Sequence, residues 1–386
     1  MQLKNTSQAT RRRFFALSGA GLISLTALGC SGSQSGPTPN PTASPTPNPG
    51  ATPSPTPTPA PSTTYTFSVL PASGGLSSGE ARGGAGAQQV GKSFGSGIVG
   101  EHATLWNGAT GAVVDLHPAG KTSSRANASS GDKQGGSAVN SVTHAMLWSG
   151  SAASALDLHP GAGTFSEILG MGGTQQVGTF NSHAALWQGT AASFVDLDTG
   201  NGALSSQAFD TDGVHQVGIV KNSVGNNHAT LWSGTAASAV DLHPTALVGT
   251  AEAVESFAEG VHGSQQVGAL SLRFVGLHAA IWSGSSASVQ DIHPTQLGRT
   301  NSLIRATNGA QQVGKASNSL GVTDIAVVWS GTAASAINLQ ALIPASFGTV
   351  KQSEARGISE SGDIVGFVDR QDGSTVTRVP VIWKKN

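Results

Sequence analysis

The segment His228-Ala229-Thr230-Leu231-Trp232-Ser233-Gly234-Thr235-Ala236-Ala237-Ser238-Ala239-Val240-Asp241-Leu242-His243-Pro244 decides the fold. A short alternating apolar string ends in a tryptophan, a Ser-Gly-Thr-Ala-Ala-Ser link follows, and a second string begins at Asp241, nine residues after Trp232. Alternation with a period of two is the signature of half-buried strands, and a link of fixed length holds two strands in one register.

The unit recurs down the chain. His102-Ala103-Thr104-Leu105-Trp106, His144-Ala145-Met146-Leu147-Trp148, His183-Ala184-Ala185-Leu186-Trp187 and His278-Ala279-Ala280-Ile281-Trp282 repeat it, and degenerate copies end at Trp329 and Trp383. All seven tryptophans of the chain fall in this pattern, at spacings of 42, 39, 45, 50, 47 and 54 residues. A mean near 46 is the length of a propeller blade. Nine residues after each of the first six tryptophans stands Asp115, Asp157, Asp196, Asp241, Asp291 or Asn338. Upstream of each lies a Gln-Gln-Val-Gly-like string, as in Gln88-Gln89-Val90-Gly91 and Gln311-Gln312-Val313-Gly314, degenerating to Asp363-Ile364-Val365-Gly366 in the last copy.

The two ends of the repeat region complement each other. The Trp383 copy ends the sequence without a following Asp-Leu string, and Thr64-Tyr65-Thr66-Phe67-Ser68-Val69-Leu70 is such a strand without a tryptophan partner. Pairing the two completes a seventh unit and leaves no open sheet edge. The expected fold is all-β: a seven-bladed β-propeller of about four strands per blade, closed by the N-terminal strand on the last repeat. The alternative is an open β-solenoid, against which the variable repeat length argues.

Composition agrees with a turn-rich β protein. The chain has 386 residues, 52 of them glycine, with 11% charged residues and 5% aromatics. Typical domains carry about 25% charged residues. The shortage of helix-forming Lys, Glu and Arg argues against a helical bundle. A hydrophobic content of 38% with a net charge of −1 argues against disorder throughout.

Residues 1–29 read as an export signal. Thr10-Arg11-Arg12-Arg13-Phe14-Phe15 resembles the twin-arginine motif, with Arg11 and Arg12 as its pair. Ala16 to Leu28 is a short apolar stretch ending in Ala27-Leu28-Gly29-Cys30, which resembles a bacterial lipobox except that Ala27 replaces the usual Leu. Cys30 is the only cysteine of the chain. The resemblance makes it the lipidated first residue of a membrane-anchored protein; the plainer alternative is an ordinary cleaved signal. Residues 30–63 form a tether: 31–64 carry no charge and 37–61 hold eleven prolines. Such a composition favours extended polyproline II, about 3.1 Å per residue. The repeat domain is 64–386. Without residues 1–30 the chain keeps 16 basic and 21 acidic residues, a formal charge of −5. That balance argues against nucleic acid as a partner, because phosphate binding needs a basic footprint.

The repeats resemble the extracellular repeats of the HAF family, named for His-Ala-Phe before Leu-Trp, whose pattern also holds Asp-Leu-Gly and Gly-Gln-Val-Val-Gly strings. The resemblance spans 64–386. It departs at the Phe position, which holds Thr104, Met146, Ala185, Thr230, Ala280, Val327 and Val381, and at the Gly of Asp-Leu-Gly, which is mostly His. The resemblance implies export and repetition; it implies no activity.

The candidate sites read mainly as structure. Asp241 and His243 lie on one face of a strand, and His117, His159 and His293 occupy equivalent positions. A ring of such pairs offers metal ligands in type, but a repeated polar residue usually ties strands by hydrogen bonds, and copies six and seven lack both histidines. Trp106, Trp148, Trp187, Trp232, Trp282, Trp329 and Trp383, at one place in every unit, read as core, with any exposed exception the sugar-binding candidate. Gly91-Lys92-Ser93-Phe94-Gly95 and Gly95-Ser96-Gly97-Ile98-Val99-Gly100 match a nucleophile elbow and a dinucleotide fingerprint by chance, outside the strand–helix context each needs. Asp210-Thr211-Asp212-Gly213 opens like a calcium loop, but its twelfth position is Lys221, which excludes an EF-hand. No catalytic set, metal site or cofactor is expected.

The function expected is therefore a cell-surface or periplasmic module that binds an unidentified protein or glycan. Its variable loops at 92–101, 219–227, 269–277 and 367–378 would carry recognition. The alternatives are a propeller hydrolase or lyase acting on extracellular glycans, which would need unlike residues converging on the axis, and a passive surface or adhesive protein. Replacing Cys30 by Ser should release the protein from membranes in a sedimentation assay; a variant that still sediments contradicts the lipobox reading.

Overall fold

The repeated strings become strands in the register their spacing dictates. In the computed structural model, residues 64–386 are described, apart from 72–75, 77, 86, 96–99, 110, 162 and 319–322. The export segment with Arg11 and Arg12, Cys30 and the tether lie outside the described residues. Each unit is a four-stranded antiparallel sheet, and there are seven. In the fifth blade the strands a to d are Ala253–His262, Gln265–Leu272, Gly276–Trp282 and Gln290–Asp291, paired in sequence order. The Gln-Gln-Val-Gly string begins strand b and the tryptophan closes strand c, so that Gln266 faces Trp282 across the ladder.

The seventh blade takes its outer strand from the other end of the chain. Tyr65–Val69 pairs antiparallel with Thr375–Lys385, Phe67 opposite Trp383. The chain is thus a closed seven-bladed β-propeller. Asn386 and Thr64 extend the ladder, the Asn386 amide donating to the Thr64 carbonyl at 3.0 Å.

The core is divided among the junctions between blades. Each of seven buried clusters joins two neighbouring blades and contains one tryptophan, supplied by the later blade of the pair. Trp187, for example, packs on Leu147 and Leu158 of the preceding blade. All seven tryptophans are 0% exposed, so none is available to stack on a sugar. The link after the tryptophan differs from a plain hairpin. It forms a 3-10 turn, Ala236–Ser238 in the fourth blade, and the strand after it is only two residues long, Val240–Asp241. Ser238 Oγ accepts the Ser233 amide at 2.7 Å and donates to the Thr235 carbonyl at 2.6 Å, which fixes the turn.

Removing residues 64–71 deletes the closing strand and exposes the edge of Thr375–Lys385. The thermal midpoint should drop by on the order of 10 °C. An unchanged midpoint contradicts closure.

Candidate functional site at the ring axis

The innermost strand of every blade breaks its register at one equivalent place, and the strands of the fifth and seventh blades slip a second time nearer their starts. The ladder between strands a and b slips at Arg82, Asn127, Leu169, Phe209, Glu259, Arg305 and, in the last blade, Arg356. A β-bulge re-aims the extra residue away from the sheet. Opposite each bulge stands the glycine of the Gln-Gln-Val-Gly string. A Cβ on Gly91, Gly178 or Gly366 would meet the carbonyl oxygen of Glu80, Glu167 or Glu354 at 1.9–2.0 Å. Bulge and glycine are therefore one device, because the bulged strand folds over strand b where only glycine leaves room.

The seven bulged residues converge. They line both a cavity of about 560 Å³ at the end of the ring bearing the a–b hairpins and a second of about 340 Å³ at the opposite end. Segments from all seven blades can meet only on the axis, so the two cavities are the mouths of one axial channel and the bulged residues its waist. The second mouth adds Phe165, Glu167, Thr179 and Gln207. Strand a starts at this end and strand b finishes there, as the Ser166–Phe180 pairing shows. The variable b–c loops lie at the same end of the ring: 219–227, 269–277, 367–378 and the described part of 92–101. Val224 and Phe274, strongly exposed, lie at two of their tips.

Unlike residues at the waist form an arc of ion pairs. Arg305 donates through Nη1 to Glu259 of the blade before it at 3.1 Å and through Nε to Glu354 of the blade after it at 2.8 Å. Arg356 shares the Glu354 carboxylate at 3.2 Å, and Lys315 approaches it at 3.6 Å. Across the seam between the last blade and the first, Arg378 donates to Glu80 at 2.9 Å. Arg82 then bonds Glu80 at 2.7 Å and Asn127 at 2.9 Å, and Asn127 donates to Glu167 at 2.8 Å. Both Arg356 and Arg378 lie over the Phe367 ring, their guanidinium carbons 5.5 and 3.7 Å from its centre.

Burial shapes the protonation of this arc. Desolvation pushes Glu354 up, but the Arg305 and Arg356 guanidiniums with Lys315 overrule it and hold the carboxyl at about 2. Glu80 is likewise held at about 2 against its burial by Arg82, Arg356 and Lys92. Both carboxylates are ionised at neutral pH and, at 3% side-chain exposure, are out of reach of a ligand. Asp210, at the hairpin mouth, goes the other way. It keeps an edge on the channel but is densely surrounded, and desolvation raises it to about 7 although it accepts the Val261 amide at 3.1 Å.

The histidine–aspartate sets lie away from the axis. In the fourth blade His228 Nδ1 is 2.8 Å from Asp241 Oδ2, while Asp241 Oδ1 accepts the His243 amide at 2.8 Å. His243 stacks on His228, with centroids 4.0 Å apart, and its Nδ1 lies 3.0 Å from Ser256 Oγ of the next blade. Ser256 Oγ in turn accepts the Ala229 amide at 2.8 Å. Asp115, Asp157 and Asp291 repeat the arrangement with His102/His117, His144/His159 and His278/His293. Asp196 bonds His183, and Asp198 takes the place of the second histidine on Ser206. These bonds tie the outer strand to the Trp strand in the first five blades, and each of those blades to the next. Burial, with the neighbouring imidazole, lowers His117, His243 and His293. Among the described residues no group of three or more His, Cys, Asp or Glu side chains is arranged to hold a metal.

The axial set was not anticipated from the repeats, which display their symmetric residues rather than unique ones. A positional signal exists. Each bulged residue stands nine residues before the glycine of its string (Gly91, Gly136, Gly178, Gly218, Gly268, Gly314) and ten before Gly366.

No protein-family model matches the chain, and no curated protein sequence is similar to it. Among solved structures it is similar to a prolyl endopeptidase studied for the role of inter-domain dynamics in catalysis and specificity. The two share 12% identity and a TM-score of 0.51 over 76% of this chain and 47% of that one. It is also similar to the β-propeller domain of the Trilobed protease from Pyrococcus furiosus, at 9% identity and a TM-score of 0.51 over 80% of this chain and 97% of that one. The match thus takes in about half the length of the prolyl endopeptidase. The archaeal domain has an open velcro topology, whereas the ring here is closed. At such identities the likeness concerns the fold alone.

The opposed pKa shifts give opposed pH dependences. Glu80 and Glu354, depressed below their ordinary 4.5, support the fold above that value, and their support is lost as pH falls toward 2. Asp210, raised from 3.8 to about 7, costs nothing below its ordinary value and weakens the fold as pH rises through 7. In denaturant unfolding, Glu354→Gln should cost roughly 3–5 kcal/mol near neutrality, because it leaves Arg305 and Arg356 short of a counter-charge. That loss should shrink in acid. Asp210→Asn should instead gain on the wild type as pH rises from about 4 to 8. Parallel profiles for the two variants would contradict the assignment.

Proposed function

We propose that this chain is an exported, lipid-anchored β-propeller that serves as a binding module at the cell surface or in the periplasm, taking its ligand at the ring axis. The observation that carries this reading is the convergence of five residue types at the seven equivalent positions of a channel built from seven like blades. Structural equivalents repeat in type around the ring, as the tryptophans do. The bulge positions instead hold Arg, Asn, Leu, Phe, Glu, Arg and Arg. Non-repeating chemistry at a repeating position is what selective recognition requires. The export motif, Cys30 and the uncharged tether support presentation outside the cytoplasm at a distance from a membrane.

The second reading, a hydrolase or lyase acting on extracellular glycans, draws on one observation. Asp210 is raised to about 7 while Asp212, two residues on, is lowered, its burial overruled by the His215 and Val214 amides and the His215 ring. Carboxyl groups driven apart in this way suit an acid and a base. Binding is preferred because both aspartates already hold the next blade, through the Val261 and Gly263 amides at 3.1 and 3.0 Å.

The test is a thermal-shift and calorimetric screen of the full chain against glycans, peptides and small organic ions. A ligand of the native state must raise the midpoint. At least one class should do so, and Phe209→Ala should abolish the shift; shifts indifferent to every axial substitution contradict an axial site. For the second reading, product released from a glycan that Asp210→Asn binds but does not cleave would establish the enzyme.

A further inference from the structure

The composition of the waist has an orientation. Its arginines come from consecutive blades, Arg305 from the sixth, Arg356 from the seventh and Arg82 from the first. Its large apolar residues come from two consecutive blades, Leu169 from the third and Phe209 from the fourth. In a seven-fold ring the point opposite the seventh blade lies between the third and the fourth. The cationic wall, centred on Arg356, therefore faces the apolar wall squarely across the channel, and Phe165 extends the apolar side into the mouth on the b–c side.

The arginines, not the acids behind them, meet the channel. Their side chains are 22–26% exposed, against 3% for Glu80 and Glu354. The buried carboxylates orient the guanidiniums from behind, while Arg305 Nη2 and Arg356 Nη1 make no hydrogen bond to the described residues. Arg356 Nε, buried, keeps its 3.2 Å ion-pair contact with Glu354 Oε1 without the geometry of a hydrogen bond. Two unspent donor groups on adjacent blades suit a planar two-oxygen acceptor. Glu259, at the same waist, and Glu167, in the adjoining mouth, repel a doubly charged ligand, which favours a single charge. Mouths of about 340 and 560 Å³ match sites for small molecules, which span roughly 300–1,000 Å³.

We propose that the channel binds a small organic monoanion, its carboxylate on the Arg305–Arg356 side and its apolar or aromatic body against Leu169 and Phe209. This deepens the axial binding reading and rests on it.

The test is calorimetric titration of the full chain with three aromatic carboxylates, benzoate, phenylacetate and N-acetyl-L-phenylalanine. The controls are N-acetyl-L-phenylalaninamide, which lacks the charge, and acetate, which lacks the ring. At least one aromatic acid should bind saturably, and both controls should bind at least tenfold more weakly. Phe209→Ala, which leaves the ion pairs in place, should weaken the acid by about tenfold or more. Arg356→Gln should do the same where circular dichroism shows it folded, and Phe209→Ala carries the test where it does not. Equal affinity for acid and amide overturns the proposal, as does binding unaffected by Phe209→Ala, or no saturable binding of any of the three acids up to about 10 mM. Should the acids fail while a glycan or peptide binds in a manner that Phe209→Ala abolishes, the ligand class falls and the axial site stands. Should no ligand of any class respond to that substitution, both fall.

Discussion

Closure of the ring is the constraint on which the rest of the structure depends. A four-stranded blade by itself buries neither of its faces, and its edges offer unpaired backbone groups. Pairing Tyr65–Val69 with Thr375–Lys385 supplies the missing outer strand of the last blade and brings the first and last blades together. The seam is then held by apolar burial and by charge. Leu70 and Trp106 pack with Val365 and Ile382, and Arg378 reaches Glu80. Closure also sets the angular place of every blade, and so fixes which bulged residue faces which across the channel.

Repetition and its absence divide the labour along each unit. The tryptophan, the Gln-Gln-Val-Gly string, the 3-10 turn and the aspartate on the outer strand recur because each solves the same packing problem at every junction. Burying a tryptophan wedge between blades is a contribution that substitution by alanine would remove at roughly 3–5 kcal/mol. The bulge on the inner strand is equally regular, but its side chain is released from the ladder and from the junction cores. It is free to differ, and does. The charged members are kept tolerable by being chained together, with Glu354 serving Arg305, Arg356 and Lys315 at once.

Much of the fold was legible. The tryptophan period and the complementary chain ends give blade count and closure, and the nine-residue step to Asp115, Asp157, Asp196, Asp241 and Asp291 is fixed because it is tied to register and admits no insertion. The outer strand is shorter than the alternation of Asp241 and His243 implies: Val240–Asp241 is two residues long, and His243 lies past its end. The axial set is not legible in the repeats, for a physical reason. The bulged residues share a position and not one residue type, being Arg in three blades and Asn, Leu, Phe or Glu in the other four. The glycine nine residues downstream was the available clue, since a strand that cannot accept a Cβ implies a neighbour folded over it.

The opposition of Arg356 to Leu169 and Phe209 exists only in a closed ring of seven, so backbone protection of the closing strand tests the central claim most directly. In native-state hydrogen exchange, the Tyr65–Val69 amides that donate to Thr375–Lys385 should be protected to the same degree as that strand, and should open with it. Exchange of Tyr65–Val69 at the rate of an unstructured peptide, beside a protected Thr375–Lys385, would contradict closure and the axial geometry built on it.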